Sequence, residues 1–183
     1  GDVDEIQEFA STLGVDLAGI DLLNPAESPD REAYAQAYAE ARAHRGVEIE
    51  FAREMMLDPN YFGTMMVQQG DVDGMVAGAV STTAHTIRPA LEFVKTKPGT
   101  KIVSSVFFML LPDRAIVYGD CAVNTDPNAE QLADIAAASA KTADQFGVEP
   151  RVAMLSYSTG DSGAGEAVDK VREATKLVQQ AHP

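Results

Sequence analysis

Apolar residues at helical spacing alternate with short apolar runs along most of the chain. Tyr34, Ala37, Tyr38 and Ala41 recur every three or four residues, which predicts a helix over residues 29–45. By the same pattern and by capping signals, the other predicted helices are 2–13, 48–57, 59–69, 86–96, 128–146 and 166–181. The predicted strands are 19–23, 73–80, 102–111, 115–123 and 151–158.

The order of these elements predicts the fold class. The tight turn at residues 112–114 predicts that strands 102–111 and 115–123 pair antiparallel. The other strands alternate with helices, which indicates an α/β fold with a largely parallel sheet. The sequence Lys-Pro-Gly at 97–99 is the clearest break, so we expect two α/β parts, residues 1–100 and 101–183.

Composition and charge exclude several classes of partner. The net charge of −14 disfavours binding to nucleic acid and to anionic lipid, although a local arginine pair can still hold a small anion. We expect no membrane span, because apolar runs are too short, and no signal peptide, because the first residues are acidic. The single cysteine, Cys121, forbids an internal disulfide, which fits a reducing compartment and predicts a cytoplasmic protein.

Two hydroxyl-rich loops are candidate anion sites. Residues 81–89 lead from a small-residue strand into a helix, predicted to start at Thr86 with Arg88 in its first turn. An anion held by Arg88 and the loop fits this pattern, but local chemistry favours a plain helix cap with Arg88 in a surface ion pair. Residues 156–165 form a Gly/Ser loop after a strand, yet the loop lacks a phosphate-binding lysine, and a flexible capping loop is at least as well supported.

Other reactive side chains give weaker signals. Arg42 lies with His44 and Arg45 near a helix end, where basic residues simply complement the helix dipole. Cys121 is expected to be buried in a strand and therefore inert. The histidines lack metal-ligand spacing, so we expect no metal site.

Four segments together resemble the phosphate acetyltransferases. They are DGMVAGAVSTTAHTIRPALEFVKTKPG, SVFFMLLPD, YGDCAVNTDPNAEQLADIA and VAMLSYSTGDSG, and the first and last are the most specific. The resemblance runs through nearly the whole chain. It implies acetyl transfer between acetyl-CoA and inorganic phosphate, giving acetyl phosphate and CoA, with CoA as a substrate and no further cofactor. It also implies a three-layer fold like that of isocitrate/isopropylmalate dehydrogenase, two subdomains with a cleft between them, and a homodimer.

The resemblance also assigns site residues. Arg88 matches an arginine that holds the phosphate end of the substrate, and Arg42 matches a second arginine of the same cleft. The implied substrate-binding residues are Thr82, Thr83, Ser156, Ser158 and Thr159. Some relatives carry cysteine at Arg114, so that position is not expected to be essential.

One departure from the family pattern bears on activity. Family members carry a later Asn-Asp-Leu-Ser-Arg-Gly motif that contributes to catalysis, and the 183 residues contain neither this motif nor the family's first strand and helix. We therefore expect an internal fragment that is inactive alone. Three alternatives stay open: a butyryl-type phosphate acyltransferase, a non-catalytic acetyltransferase-like regulatory or oligomerisation domain as in malic enzymes, and an acidic oligomerisation module without a ligand.

Overall fold

Residues 1–95 are built from helices. The computed structural model describes residues 1–182, and the chain divides into one unit that ends at Lys95 and a second that begins at Thr96. The helices of the first unit are α1 (Val3–Leu13), α2 (Arg31–Arg42), α3 (Ile49–Met55), α4 (Pro59–Gln69) and α5 (Thr83–Pro89). A 3-10 turn, Ala43–Arg45, follows α2, and a π-helical turn, Ala90–Val94, follows α5.

Local capping explains where α4 begins and ends. The Asp58 carboxylate accepts hydrogen bonds from the backbone N–H groups of Asn60 (2.8 Å) and Tyr61 (3.2 Å). Pro59 occupies the first helical position, where its missing N–H costs nothing. Gly70 ends the helix at φ 85°, a left-handed conformation that favours glycine.

Aromatic side chains form the core of the first unit. The rings of Tyr34 and Phe62 meet edge to face at 5.0 Å, and those of Tyr38 and Phe93 at 5.6 Å. Such contacts add to the stabilisation from buried area. Because these rings come from α2, α4 and the π-helical turn, the core fixes these three elements against one another.

The second unit contains the sheet of the described chain. Strands β1 (Val106–Leu110) and β2 (Ala115–Gly119) pair antiparallel, as predicted, with Phe108 opposite Val117. The N–H of Leu111 donates to the carbonyl of Arg114 at 2.8 Å and closes the turn between them. Two helices follow, α6 (Ala129–Gln145) and α7 (Glu166–Ala181), which pack together through buried residues that include Ile135, Val168 and Ala174.

The prediction of a largely parallel sheet is wrong for the described residues. The chain is mixed helix and sheet, as an α/β chain should be, but the sheet has two strands and they are antiparallel. The predicted strands 19–23, 73–80 and 151–158 have no hydrogen-bonded strand partner among residues 1–182. An apolar run forms a strand only where a second strand supplies hydrogen-bond partners for its backbone N–H and C=O groups. Most of their larger apolar side chains are correspondingly exposed, Val76 and Val80 fully.

Candidate functional site

Arg42 ends helix α2 in a half-buried position. Its Nη1 donates a long hydrogen bond, 3.5 Å, to the backbone carbonyl of Glu92. Its Nε is buried and has no hydrogen-bond partner among the residues described. Buried polar atoms are nearly always satisfied, and an arginine fork suits a carboxylate or phosphate. Arg42 therefore has donor capacity that the described protein groups leave unused.

Glu92 lies at the centre of the polar cluster beside Arg42. Its Oε2 accepts a hydrogen bond of 2.8 Å from the hydroxyl of Tyr38. Burial and the Glu92 carboxylate together raise the pKa of Tyr61 to about 12, although the positive charge of Arg88 lowers it. Burial and the bond to Glu92 also raise the pKa of Tyr38, whereas Arg42 lowers it. Both tyrosines thus stay neutral at physiological pH beside a carboxylate and two arginines.

Arg88 lies in the last turn of α5, not in the first turn as the sequence predicted. The helix begins at Thr83 because Oγ1 of Thr82 accepts a hydrogen bond of 3.2 Å from the N–H of His85 and caps it. Pro89 does not end the helical path, which continues into the π-helical turn. Arg88 therefore does not face the N–H groups that begin its own helix. Its side chain is exposed and forms no hydrogen bond or ion pair with any residue in 1–182.

The structure brings Arg42 and Arg88 to one cluster. Arg42 contacts the backbone of Glu92, and Arg88 lies close enough to Tyr61 to lower its pKa. Helix α2 and the segment of α5 with its π-helical turn supply the two cations. Arg42 lies beside Tyr38 and Arg88 beside Tyr61, and Glu92 interacts with both tyrosines. Two guanidinium groups in such a cluster can hold a small dianion such as phosphate.

The sequence interpretation missed Tyr38, Tyr61 and Glu92. Two spacings could have revealed part of the cluster, since Tyr38 precedes Arg42 by four residues and Arg88 precedes Glu92 by four. Residues four apart share one face of a helix. The contact between the two helical segments, however, spans 54 residues and has no local signal.

Thr82 and Thr83 begin α5. The Thr82 hydroxyl oxygen is engaged as the helix cap, whereas Thr83 is exposed in the first turn. Beside them, Nε2 of His85 lies 2.8 Å from Oδ2 of Asp58, the residue that caps α4. This pair ties the start of α5 to the start of α4 and so supports the segment that carries Arg88.

The loop with Ser156, Ser158 and Thr159 belongs to the second unit. Some of its hydrogen bonds come from its own hydroxyl groups: Ser158 Oγ accepts from the N–H of Gly163 at 2.9 Å, and Ser162 Oγ accepts from the N–H of Thr159 at 3.2 Å. Ser156 Oγ both accepts from the N–H and donates to the carbonyl of Ser158, each at 3.1 Å. The hydroxyl-rich loop is thus a defined turn structure.

Arg172, which the sequence interpretation missed, reaches from α7 to this loop. Its Nη2 lies 3.0 Å from the carbonyl of Gly160, 3.2 Å from that of Gly163 and 3.2 Å from Oδ1 of Asp161. Its Nη1 lies 3.5 Å from Oδ1 of Asp169. The guanidinium is therefore occupied by acceptors of its own chain.

Asp120 organises a second polar cluster, at the end of β2. Burial raises the pKa of Asp120, but hydrogen bonds from Ser105, Asn124 and nearby backbone N–H groups outweigh it and hold the pKa well below its usual range. The backbone donors include Ala122 at 3.0 Å and Val123 at 3.2 Å. The carboxylate therefore stays ionised and holds the chain in a turn after β2.

Cys121 is exposed, contrary to the expectation that it is buried in a strand. The strand ends at Gly119, and the Asp120 turn directs the chain out of the sheet. Within residues 1–182, no three His, Cys, Asp or Glu side chains are grouped so as to hold a metal ion.

The sequence model of the phosphate acetyl/butaryl transferase family matches residues 1–183. The chain belongs to this family. It is 55% identical over its whole length to a phosphate acetyltransferase of Synechocystis and 57% identical to one of Nitratidesulfovibrio vulgaris. In both cases the chain spans 26% of the relative's length. A phosphate acetyltransferase of Corynebacterium glutamicum is 51% identical, and the chain covers 56% of it.

Solved structures of phosphotransacetylases resemble this family member over its full length. The one from Staphylococcus aureus has a TM-score of 0.85 and 44% identity, covering 99% of this chain and 55% of its own. The one from Streptococcus pyogenes has a TM-score of 0.86 and 42% identity, covering 100% of this chain and 56% of its own. No helix of the described part is both long and apolar enough to cross a bilayer.

Proposed function

We propose that the complete gene product transfers an acetyl group between CoA and inorganic phosphate. Family membership and relatives named phosphate acetyltransferase at 51–57% identity support this activity. The structural observation that carries it is Arg42, whose buried Nε has no acceptor in the described chain and whose cluster includes Arg88. An arginine pair of this kind suits a phosphate dianion better than any neutral substrate.

The proposed chemistry requires little beyond positioning and charge stabilisation. A phosphate oxygen attacks the thioester carbon, a C–O bond forms, the C–S bond breaks, and the sulfur leaves with the electron pair as CoA thiolate. Arg42 and Arg88 hold the phosphate and offset the negative charge that develops on the oxygens. In the reverse direction the thiolate attacks acetyl phosphate, and the same two arginines hold the phosphate as it leaves.

We assign supporting roles to the other predicted site residues. Thr83 is exposed in the first turn of α5 and is available to donate to phosphate, as is the hydroxyl hydrogen of Thr82. Ser156, Ser158 and Thr159 supply hydroxyl groups for the CoA substrate. No cofactor beyond CoA as a substrate enters the proposal.

For the complete protein we also propose the isocitrate/isopropylmalate dehydrogenase-like three-layer fold with an active cleft, a homodimer and a cytoplasmic location. The likeness to solved phosphotransacetylases supports the fold, and the single cysteine fits the location. Light scattering of the purified gene product tests the dimer, because a monomeric mass at micromolar concentration contradicts it.

The activity is tested by acetyl phosphate formation from acetyl-CoA and phosphate. We expect the complete gene product to turn over and Arg88→Ala to raise the KM for phosphate at least about tenfold, since a charge-assisted contact is lost. Arg45→Ala is the matched control, because Arg45 is an exposed cation of the neighbouring 3-10 turn. An Arg88→Ala enzyme with unchanged KM and kcat removes Arg88 from the site. Butyryl-CoA used faster than acetyl-CoA favours the butyryl member of the family instead.

A further inference from the structure

One guanidinium, that of Arg172, contacts the Ser156–Gly165 loop at several oxygens. Three loop oxygens converge on Nη2 of Arg172, and two of them are backbone carbonyls of glycines, Gly160 and Gly163. Glycines have the widest conformational freedom of all residues, so a loop rich in them needs an outside contact to hold one shape. Among the described side chains, Arg172 is the one that reaches this loop from the following helix.

The remaining contacts of the loop are weak by comparison. The bonds made by Ser158 and Ser162 hydroxyls are neutral, and most are solvent-exposed. Hydrogen bonds from a charged donor are roughly twice as strong as neutral ones. Loss of Arg172 should therefore release Ser158 and Thr159 from their present positions while leaving helix α7 itself intact.

Arg172 is also unsuited to be a ligand for phosphate. The carboxylates of Asp161 and Asp169 lie 3.2 Å and 3.5 Å from its two terminal nitrogens and compensate its charge. The loop thus offers hydroxyl and peptide groups and no uncompensated cation. Such groups match the amide-bearing arm and thioester carbonyl of an acyl-CoA better than they match free phosphate.

We propose that Arg172 is a positioning residue for the acyl-CoA substrate: it holds the loop so that Ser158 and Thr159 meet the neutral arm of CoA. This inference rests on the proposed acetyl transfer and assigns the two substrates to different residues. Phosphate depends on Arg42 and Arg88, and acetyl-CoA depends on the loop that Arg172 holds.

The test compares KM values for the two substrates in the complete gene product. In Arg172→Ala we expect the KM for acetyl-CoA to rise about tenfold, as expected for one or two charged hydrogen bonds, and the KM for phosphate to stay within about twofold. Arg172→Lys should recover part of the loss, because lysine keeps the charge but not the planar fork. Asp161→Asn removes one negative charge beside Arg172 but keeps an acceptor oxygen, so it should raise the KM for acetyl-CoA by only about twofold.

Arg151→Ala is the matched control, because Arg151 is an exposed arginine of the same unit whose partner is Glu149. It should leave both KM values unchanged. An unchanged KM for acetyl-CoA in Arg172→Ala overturns the inference, and so does an equal change in both KM values together with a lower Tm, which indicates a merely structural residue. Absence of turnover in the unmodified protein rejects the proposed function itself, whereas an active protein that is insensitive to Arg172→Ala rejects this inference alone.

Discussion

The hydroxyl of Tyr38 lies 2.8 Å from Oε2 of Glu92 and joins α2 to the π-helical turn across 54 residues of sequence. Each partner stands one helical turn from an arginine, since Arg42 follows Tyr38 by four residues and Glu92 follows Arg88 by four. The tyrosine–carboxylate bond therefore holds together the two segments that carry the proposed phosphate ligands. Tyr38 is only 2% exposed, so its hydroxyl has little access to water as an alternative partner.

Replacement of Tyr38 by phenylalanine should destabilise the protein by about 1–2 kcal/mol, because Glu92 loses a hydrogen-bond donor in a half-buried position. The measurement is the free energy of unfolding in urea. Tyr118→Phe is the control, because Tyr118 is 53% exposed and its hydroxyl makes no hydrogen bond within residues 1–182. Equal stability of the Tyr38→Phe and Tyr118→Phe proteins would show that the bond to Glu92 contributes nothing.

Arg42→Lys should raise the KM for phosphate by about tenfold or more, although the net charge is unchanged. Lysine has no counterpart of the buried Nε and cannot present two parallel donors. The comparison is made by steady-state kinetics against Arg45→Lys, an exposed position that should tolerate the change. Wild-type kinetics for Arg42→Lys contradict the role of Arg42 as a bidentate ligand.

Helices were predictable from the sequence where their ends carry local signals. The predicted helix 166–181 coincides with α7, and the predicted 128–146 differs from α6 by one residue at each end. The start of α6 was predictable because a capping box marks it, in which Asn128 and Gln131 satisfy each other's backbone N–H groups. The start of α5 was misplaced because two threonines, Thr82 and Thr86, are both plausible caps and only Thr82 is used.

Strands and the polar clusters depend on contacts that no short segment encodes. The β1–β2 pair was predictable because its turn is only a few residues long, whereas the segment 151–158 needs a partner from elsewhere in the chain. Family resemblance identified Arg42 and Arg88. It did not identify the tyrosines and Glu92 that join them, because these residues come from different helical segments and meet only in the folded chain. Cys121 was misassigned because the Asp120 turn, which ends β2, has no apolar pattern.

The Asp120 cluster should make stability depend on acid pH. Hydrogen bonds hold the folded pKa of Asp120 below its ordinary value of 3.8, so the unfolded chain binds a proton first as the pH falls. The stabilisation is complete above that ordinary value and is lost as the pH falls from about 4 toward the folded pKa. Urea unfolding at several pH values from about 5 to about 2 measures this loss.

Asp120→Asn should flatten the acid part of the stability profile. Near neutral pH it should lower the free energy of unfolding by about 2–3 kcal/mol, because charged hydrogen bonds are replaced by weaker ones. Asp113→Asn, in the exposed turn between the strands, controls for the loss of one negative charge. If the Asp120→Asn protein keeps the acid dependence of the unmodified protein, another carboxylate is responsible for it.

Gly119 and Ser139 should show coupled effects on stability. A side chain at Gly119 would overlap the hydroxyl of Ser139, so Gly119→Ala should cost about 1–3 kcal/mol through overpacking. Ser139→Ala alone should leave the stability nearly unchanged, since its buried hydroxyl has no partner in the described chain. In the double variant it should recover part of the stability lost through Gly119→Ala. Gly74→Ala, at a glycine with open space around it, is the control. Strictly additive effects of the two substitutions would disprove the steric contact.

Lys95 is the residue at which a glycine should stabilise the protein. Its backbone adopts φ 64° and ψ −171°, a region that is essentially restricted to glycine and costs other residues about 1–3 kcal/mol. Glycine relieves that strain but loses about 0.5–1 kcal/mol through the greater entropy of the unfolded chain. The net expectation for Lys95→Gly is a gain of about 1 kcal/mol in the free energy of unfolding. Lys97→Gly removes the same charge at a residue without positive φ, so it should be neutral or slightly destabilising. Equal unfolding midpoints for the two variants would show that Lys95 carries no backbone strain.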